Sequence, residues 1–247
     1  ETAPLRVGIP IADLLAGYFA AMGIMAALLE REASGKGQWI ETSLLEAMVG
    51  SLSFQAGKYL NTGEVPPPVG NHHPLTAPMG VYRAKDGYLN LAVGNDEMWR
   101  RFCKAVEFPV LADDPRFAKV SGRVKNRRAL DECVEEALAR RTVAEWVEVL
   151  NAAGVACGPI YTVDQVFADP QVVQNDLVQE QRHPTVGAVK VLGIPIRLHR
   201  SPARVRAPAP VTGQHTRETL ERLGYGPDQI RTLAADGVIE LREGDGS

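Results

Sequence analysis

Residues 10–46 read PIADLLAGYFAAMGIMAALLEREASGKGQWIETSLLE, and this stretch decides the fold class. From Leu14 to Leu29 there is no charge for sixteen residues, and Gly17, Ala20, Ala21, Gly23, Ala26 and Ala27 keep the side chains small. A membrane span needs roughly 20 predominantly apolar residues, so the run reads as a helix buried on all sides, with neighbours close to its backbone. Asp13 stands where an N-cap would stand. Gly35-Lys36-Gly37 predicts a stop near Glu32. Trp39-Ile40-Glu41-Thr42 reads as a short strand. Ser43-Leu44-Leu45-Glu46 is a capping box whose helix runs to about Asn61. Helix, strand and helix in succession predict an α/β core.

Working outward, the composition breaks at Glu64. Residues 64–80 hold five of the seventeen prolines and two adjacent histidines, which excludes regular structure there. Beyond it, Val81-Tyr82-Arg83 and Tyr88–Val93 flank Lys85-Asp86-Gly87, a hairpin signal. Helices are expected after Gly94-Asn95-Asp96, over about Asn126–Arg140, and from the capping box Thr142-Val143-Ala144-Glu145 to Gly154, with a short one capped by Thr162 or Asp164. A second hairpin is expected around Pro184 and Gly187. Two short helices follow near Thr216–Leu223 and Pro227–Ala235. The division predicted is residues 1–62 in a large α/β domain, 63–177 as a small α+β domain, and 178–247 returning to the large domain.

The whole chain has 247 residues, 27 Lys and Arg against 30 Asp and Glu, and a net charge of -3, a balance that argues against nucleic-acid binding. Cys103, Cys133 and Cys157 are too few for a zinc site or a disulfide framework, and an odd thiol count suits a reducing, cytoplasmic location. The chain opens Glu1-Thr2-Ala3-Pro4, without Met or a signal peptide, which reads as a processed chain or a piece of a longer one.

Several residues bear chemistry. Asp13, at the positive end of a helix, is held ionised and suits a nucleophile, although most such residues only cap. Gly70-Asn71-His72-His73-Pro74 reads as a pocket-covering loop or as an exposed connector. Adjacent histidines without a third ligand make a metal site a poor reading. Asp96-Glu97 is an acid pair at a helix start, where the helix dipole alone accounts for it. Arg123, Lys125, Arg127 and Arg128 form a basic patch, read as a solvated helix start before a phosphate site. The cysteines read as structural.

Taken together, Pro10-Ile11-Ala12-Asp13, Gly35-Lys36-Gly37-Gln38, Gly70-Asn71-His72-His73-Pro74, Pro78-Met79-Gly80-Val81-Tyr82, Gly94-Asn95-Asp96 with Trp99, Asp114-Pro115-Arg116-Phe117, Asn126-Arg127, Glu145-Trp146 and Asp169-Pro170-Gln171 resemble the family III CoA-transferases. The resemblance implies the remains of a large nucleotide-binding α/β domain beside the smaller one, in an interlocked homodimer. It implies acyl-CoA and carboxylic acid as substrates, coenzyme A as substrate rather than cofactor, and no metal. It makes Asp13 the nucleophile, forming an anhydride and then a thioester, under a loop that maps to Gly70, Asn71, His72 and His73. Members of the family are considerably longer, and their nucleotide contacts map upstream of Glu1. The family also holds α-methylacyl-CoA racemases, in which Glu97 would be the supporting acid. The transferase pattern is the nearer one. A non-catalytic scaffold that kept the fold is the alternative of another class.

Overall fold

The opening stretch forms α1 (Ile11–Ser34), a helix of 24 residues that starts earlier and stops later than its sequence suggests. Pro10 is the N-cap, its φ of -75° leading directly into the first turn, so Asp13 is a first-turn residue and not the cap expected of it. Gly35 closes the helix in the left-handed region, donating to the Arg31 carbonyl at 2.8 Å. The computed structural model describes residues 5–108, 111 and 114–242, so the outer ends of the first and third predicted divisions, residues 1–4 and 243–247, lie outside it.

No residue of α1 is buried, contrary to the expectation of a helix enclosed on all sides. Tyr18, Met22, Met25 and Leu29 are each half or more exposed. Enclosure needs apolar faces on several sides, and among the described residues the element packed against α1 is α2 (Leu44–Gly50). At its full length α1 is long and apolar enough to cross a membrane, by length and composition alone. Residues 39–42 are extended but form no strand, because among the described residues no second strand lies alongside to pair with them.

Ser43 caps α2 as expected, accepting from the Glu46 amide at 3.1 Å and donating to its carboxylate at 2.8 Å. The single helix anticipated to Asn61 is two. α2 ends where the Ser51 hydroxyl donates to the Ala47 carbonyl at 2.7 Å, and α3 (Ser53–Thr62) restarts from Ser53 at φ 49°. A side chain competing for a helical carbonyl is what makes serine a poor interior helix residue.

The middle of the chain is built on a three-stranded antiparallel sheet in the order β1 (Met79–Arg83), β2 (Tyr88–Ala92), β3 (Ala156–Pro159). β1 and β2 are the predicted hairpin, with Arg83 opposite Tyr88. Alternation turns Tyr82, Leu89 and Leu91 into the core. Helices α4 (Asp96–Val106), α5 (Val120–Lys125), α6 (Arg127–Leu138) and α7 (Val143–Ala152) complete this lobe. α4 buries Trp99, Phe102, Cys103 and Val106, the apolar stripe its sequence spacing predicts. Asn95 caps it, and both halves of the Thr142–Glu145 capping box form at the start of α7. The Trp146 indole lies inside and donates to the Leu138 carbonyl at 2.7 Å, tying α7 to the end of α6. After β3 come α8 (Val163–Ala168), α9 (Pro170–Gln174), the hairpin of β4 (Val178–His183) and β5 (Gly187–Leu192), then α10 (Thr216–Arg222) and α11 (Pro227–Ala235). Both sheets are antiparallel.

Arg123, expected on a solvated helix start, is instead fully enclosed. Its Nε donates to the Ala77 carbonyl at 2.7 Å, Nη1 to the Phe117 carbonyl at 2.9 Å, and Nη2 to Asp96 at 3.0 Å, while the guanidinium lies over the Trp99 ring. Every face of the cation is therefore used, which is what makes burying it tolerable. Burial pushes Asp96 up, but the bonds and charges of Arg123, with Lys119 and the Val120 amide, outweigh it and hold the carboxyl below the usual carboxylate value. Arg123→Ala strands that carboxylate and two carbonyls and is expected to cost about 3–5 kcal/mol in urea unfolding. Arg123→Lys should recover only part, since an ammonium cannot serve three partners in the plane of a fork. Because the Asp96 pKa is depressed on folding, its contribution is present at neutral pH and lost as pH falls below the ordinary carboxylate range. The stability difference between wild type and Asp96→Asn should therefore shrink on acidification.

Candidate active site

The Gly70–His73 segment runs along the free edge of β1. His72 forms a β-bridge with Gly80, the Val81 amide donates to the Asn71 carbonyl at 3.2 Å, and the His73 amide donates to the Met79 carbonyl at 2.8 Å. Gly80 has to be glycine here. At φ 149°, a Cβ on it would stand 2.4 Å from the Asn71 carbonyl oxygen and 2.9 Å from His72 Nδ1. The His72 ring thus lies on bare backbone, and its buried Nδ1 has no hydrogen-bond partner.

The other face of His72 meets a buried polar group. Its Nε2 is 3.8 Å from Asp131 Oδ2, and its ring stands edge-on to Tyr82 at 5.5 Å between centroids. Tyr82 is 1% exposed and donates its hydroxyl to Asp131 Oδ1 at 2.8 Å. Burial raises the Asp131 pKa, with Glu135 adding to it, against the Tyr82 hydrogen bond and the charges of His72 and Arg127. Tyr82 is raised as well, by burial first and then by Asp131. One turn before Asp131 on α6, Arg127 Nη2 donates to the carbonyls of His73 at 2.6 Å and Thr76 at 3.2 Å. His73 packs its ring against Phe54 of α3 at 5.5 Å and accepts the Leu75 amide on Nδ1 at 3.2 Å. Of the loop's side chains, Asn71 is the exposed one.

Asp13 lies on the surface of the first turn of α1, and among the described residues its carboxylate has no hydrogen bond or ion pair. Among the described residues no such contact joins it to the loop. Glu97 pairs with Arg101 one turn along α4 and is largely exposed, so the Asp96-Glu97 pair is split between an enclosed network and the surface. The cysteines are poorly placed for nucleophilic work: burial pushes Cys157 up to about 11 and raises Cys133. The sequence reading gave Tyr82 a place only in a strand and a family motif, gave Arg127 one in a basic patch and a family motif, and passed over Asp131. The signal was there in the i, i+4 spacing of Arg127 and Asp131, which places both on one face of α6.

A family model described as CoA-transferase family III matches residues 1–216, and the chain belongs to that family. It is 36% identical over 97% of its length to a mouse succinyl-CoA:glutarate CoA-transferase, and 31% identical over 89% to a succinate–glutarate CoA-transferase of Agrobacterium fabrum. The chain spans 55% of the length of each of these curated relatives. A crystal structure of a CAIB/BAIF family protein from Brucella suis aligns with a TM-score of 0.75 at 33% identity, covering 90% of this chain and 58% of that one.

The raised Asp131 carboxyl has a measurable consequence. A carboxyl whose pKa rises on folding binds protons more tightly in the native state, so stability falls as pH climbs from the ordinary carboxylate value through the raised one. Asp131→Asn keeps an acceptor for Tyr82 and removes that titration. Denaturant unfolding between pH 4 and 7 should show the variant gaining on wild type as pH increases.

Proposed function

We propose that the protein moves coenzyme A from an acyl-CoA to a carboxylic acid, with Asp13 as covalent nucleophile. The observation that carries this reading is an exposed carboxylate in the first turn of α1, unpaired among the described residues, within a chain whose family match runs over residues 1–216. The carboxylate oxygen attacks the thioester carbonyl and expels CoA thiolate, giving a mixed anhydride. The thiolate then attacks the aspartyl carbonyl, releasing the donor acid and leaving an aspartyl thioester. The acceptor carboxylate attacks that thioester, expelling thiolate again, and thiolate attack on the acceptor carbonyl of the new anhydride yields acceptor-CoA and free Asp13. Coenzyme A is a substrate throughout, and no cofactor or metal enters.

The loop Gly70, Asn71, His72 and His73 covers the reacting groups in this reading, and Glu97 has no part in the transfer. Dicarboxylic acids are the first acceptors to try, since the relatives are named for succinate and glutarate. The exposed apolar side of α1 supports a helix enclosed by further protein, either the rest of a large α/β domain or the second chain of an interlocked homodimer; the location proposed with this reading is cytoplasmic.

Asp13→Asn in the whole protein is expected to lower CoA transfer at least a thousandfold with thermal stability nearly unchanged, because the amide is a poor nucleophile of the same size. Hydroxylamine should trap wild-type Asp13 in the presence of acyl-CoA. Near-normal turnover in the Asn variant would end the assignment. Exchange of the substrate's α-proton in deuterated water without CoA transfer would assign the protein to racemase chemistry instead.

A further inference from the structure

We propose that Arg127 and Asp131 on α6 are positioning residues that hold the Gly70–His73 loop in its working place from the side opposite the substrate. The inference rests on the reading of this loop as the cover of the site.

The loop has two kinds of attachment. On its inner side it is knit to β1 by main-chain bonds, Val81 to Asn71 and His73 to Met79, with the His72 ring edge-on to Tyr82. Such bonds fix the distance between loop and strand but tolerate sliding and fraying of an edge segment. On its other side its polar side-chain anchors come from α6, beside the ring contact of His73 with Phe54 of α3. Arg127 reaches two carbonyls, those of His73 and Thr76, which bracket the Pro74-Leu75 bend, so one guanidinium nitrogen sets the shape of the turn. Asp131 faces His72 at 3.8 Å and is itself held by Tyr82, so the imidazole has a carboxylate on one side and the Gly80 backbone on the other. The groups facing Asp131 are His72 from the loop, Tyr82 from β1, and Arg127 and Glu135 from α6 itself.

The division of labour among the loop residues follows. His72 is committed to Asp131 and Tyr82, and His73 to Phe54 and Arg127, which leaves the Asn71 side chain and the loop backbone to face a ligand. The two histidines are fasteners in this arrangement. Loss of either α6 contact leaves the residues nearest the substrate chemically intact but moves them, and small displacements of positioning groups are costly to a bond-forming step.

The test uses the whole protein as wild type, Arg127→Gln, Arg127→Lys and Asp131→Asn, with Asp13→Asn as reference. Hydrogen exchange at the His73 and Leu75 amides is read beside exchange at Leu89 and Leu91 of β2, and steady-state CoA transfer is followed in parallel. Arg127→Gln is expected to speed loop exchange about tenfold, the scale of a lost hydrogen bond to a charged group, without change in β2. Its kcat should fall while KM for the acyl-CoA holds, and Arg127→Lys should restore part of both. Asp131→Asn should loosen His73 and Leu75 less. Unchanged loop exchange in Arg127→Gln would overturn the proposal whatever the activity does. Faster loop exchange with unaltered kcat and KM, while Asp13→Asn abolishes transfer, would equally overturn the positioning role and leave the transferase reading standing. If instead Asp13→Asn keeps its turnover, the transferase reading fails, and loop exchange alone decides whether α6 anchors the loop. Should β2 loosen in Arg127→Gln, Arg127→Lys decides in its place: loop exchange faster than wild type with β2 unchanged supports the anchor, and wild-type loop exchange overturns it.

Discussion

A fully buried guanidinium organises the middle lobe. Arg123 reaches out of α5 to α4, the segment before β1 and the Phe117 turn, and it gives each of them a bond or a ring contact. A cation in such a place is tolerable only if every partner arrives together. The lobe is therefore cooperative around this point: Asp96 orients α4, Ala77 fixes the chain entering β1, and the strand in turn offers its free edge to the loop. The geometry of the loop is two steps removed from Arg123, yet it depends on it.

Much of this was legible in the residues. Caps gave α4 and α7, whose starts are local side chain to backbone bonds, and periodicity gave α6, whose buried face is a simple stripe. The hairpins of β1–β2 and β4–β5 were equally local. What local pattern does not encode is partnership. Arg123 and Arg128 look alike in sequence, but one is enclosed and the other is 95% exposed beside Glu132, a distinction made by chain that lies up to 46 residues away. Residues 39–42 have strand composition and, among the described residues, no strand beside them. α1 has the composition of an enclosed helix and, among the described residues, little that encloses it.

The candidate site was legible in part for the same reason. Asp13 and the Gly70–His73 loop could be pointed to from their motifs, since motifs mark chemistry and backbone that needs glycine. The group behind the loop could not, because Tyr82, Arg127 and Asp131 come from a strand and a helix whose side chains meet only after folding. Spacing showed that Arg127 and Asp131 share a face of α6, and it said nothing of what that face looks at.

The placement of the loop along β1 also bears on solubility. β1 is an outer strand, and an outer strand carries unpaired amides and carbonyls on which another chain can add. In this lobe Asn71, His72 and His73 occupy that row against Met79, Gly80 and Val81, so a segment proposed as the cover of the site serves at the same time as the selvedge of the sheet. Substitutions that release it would open a template for intermolecular β-pairing, and a loss of yield or the growth of oligomers would then accompany lost turnover with no defect in the core.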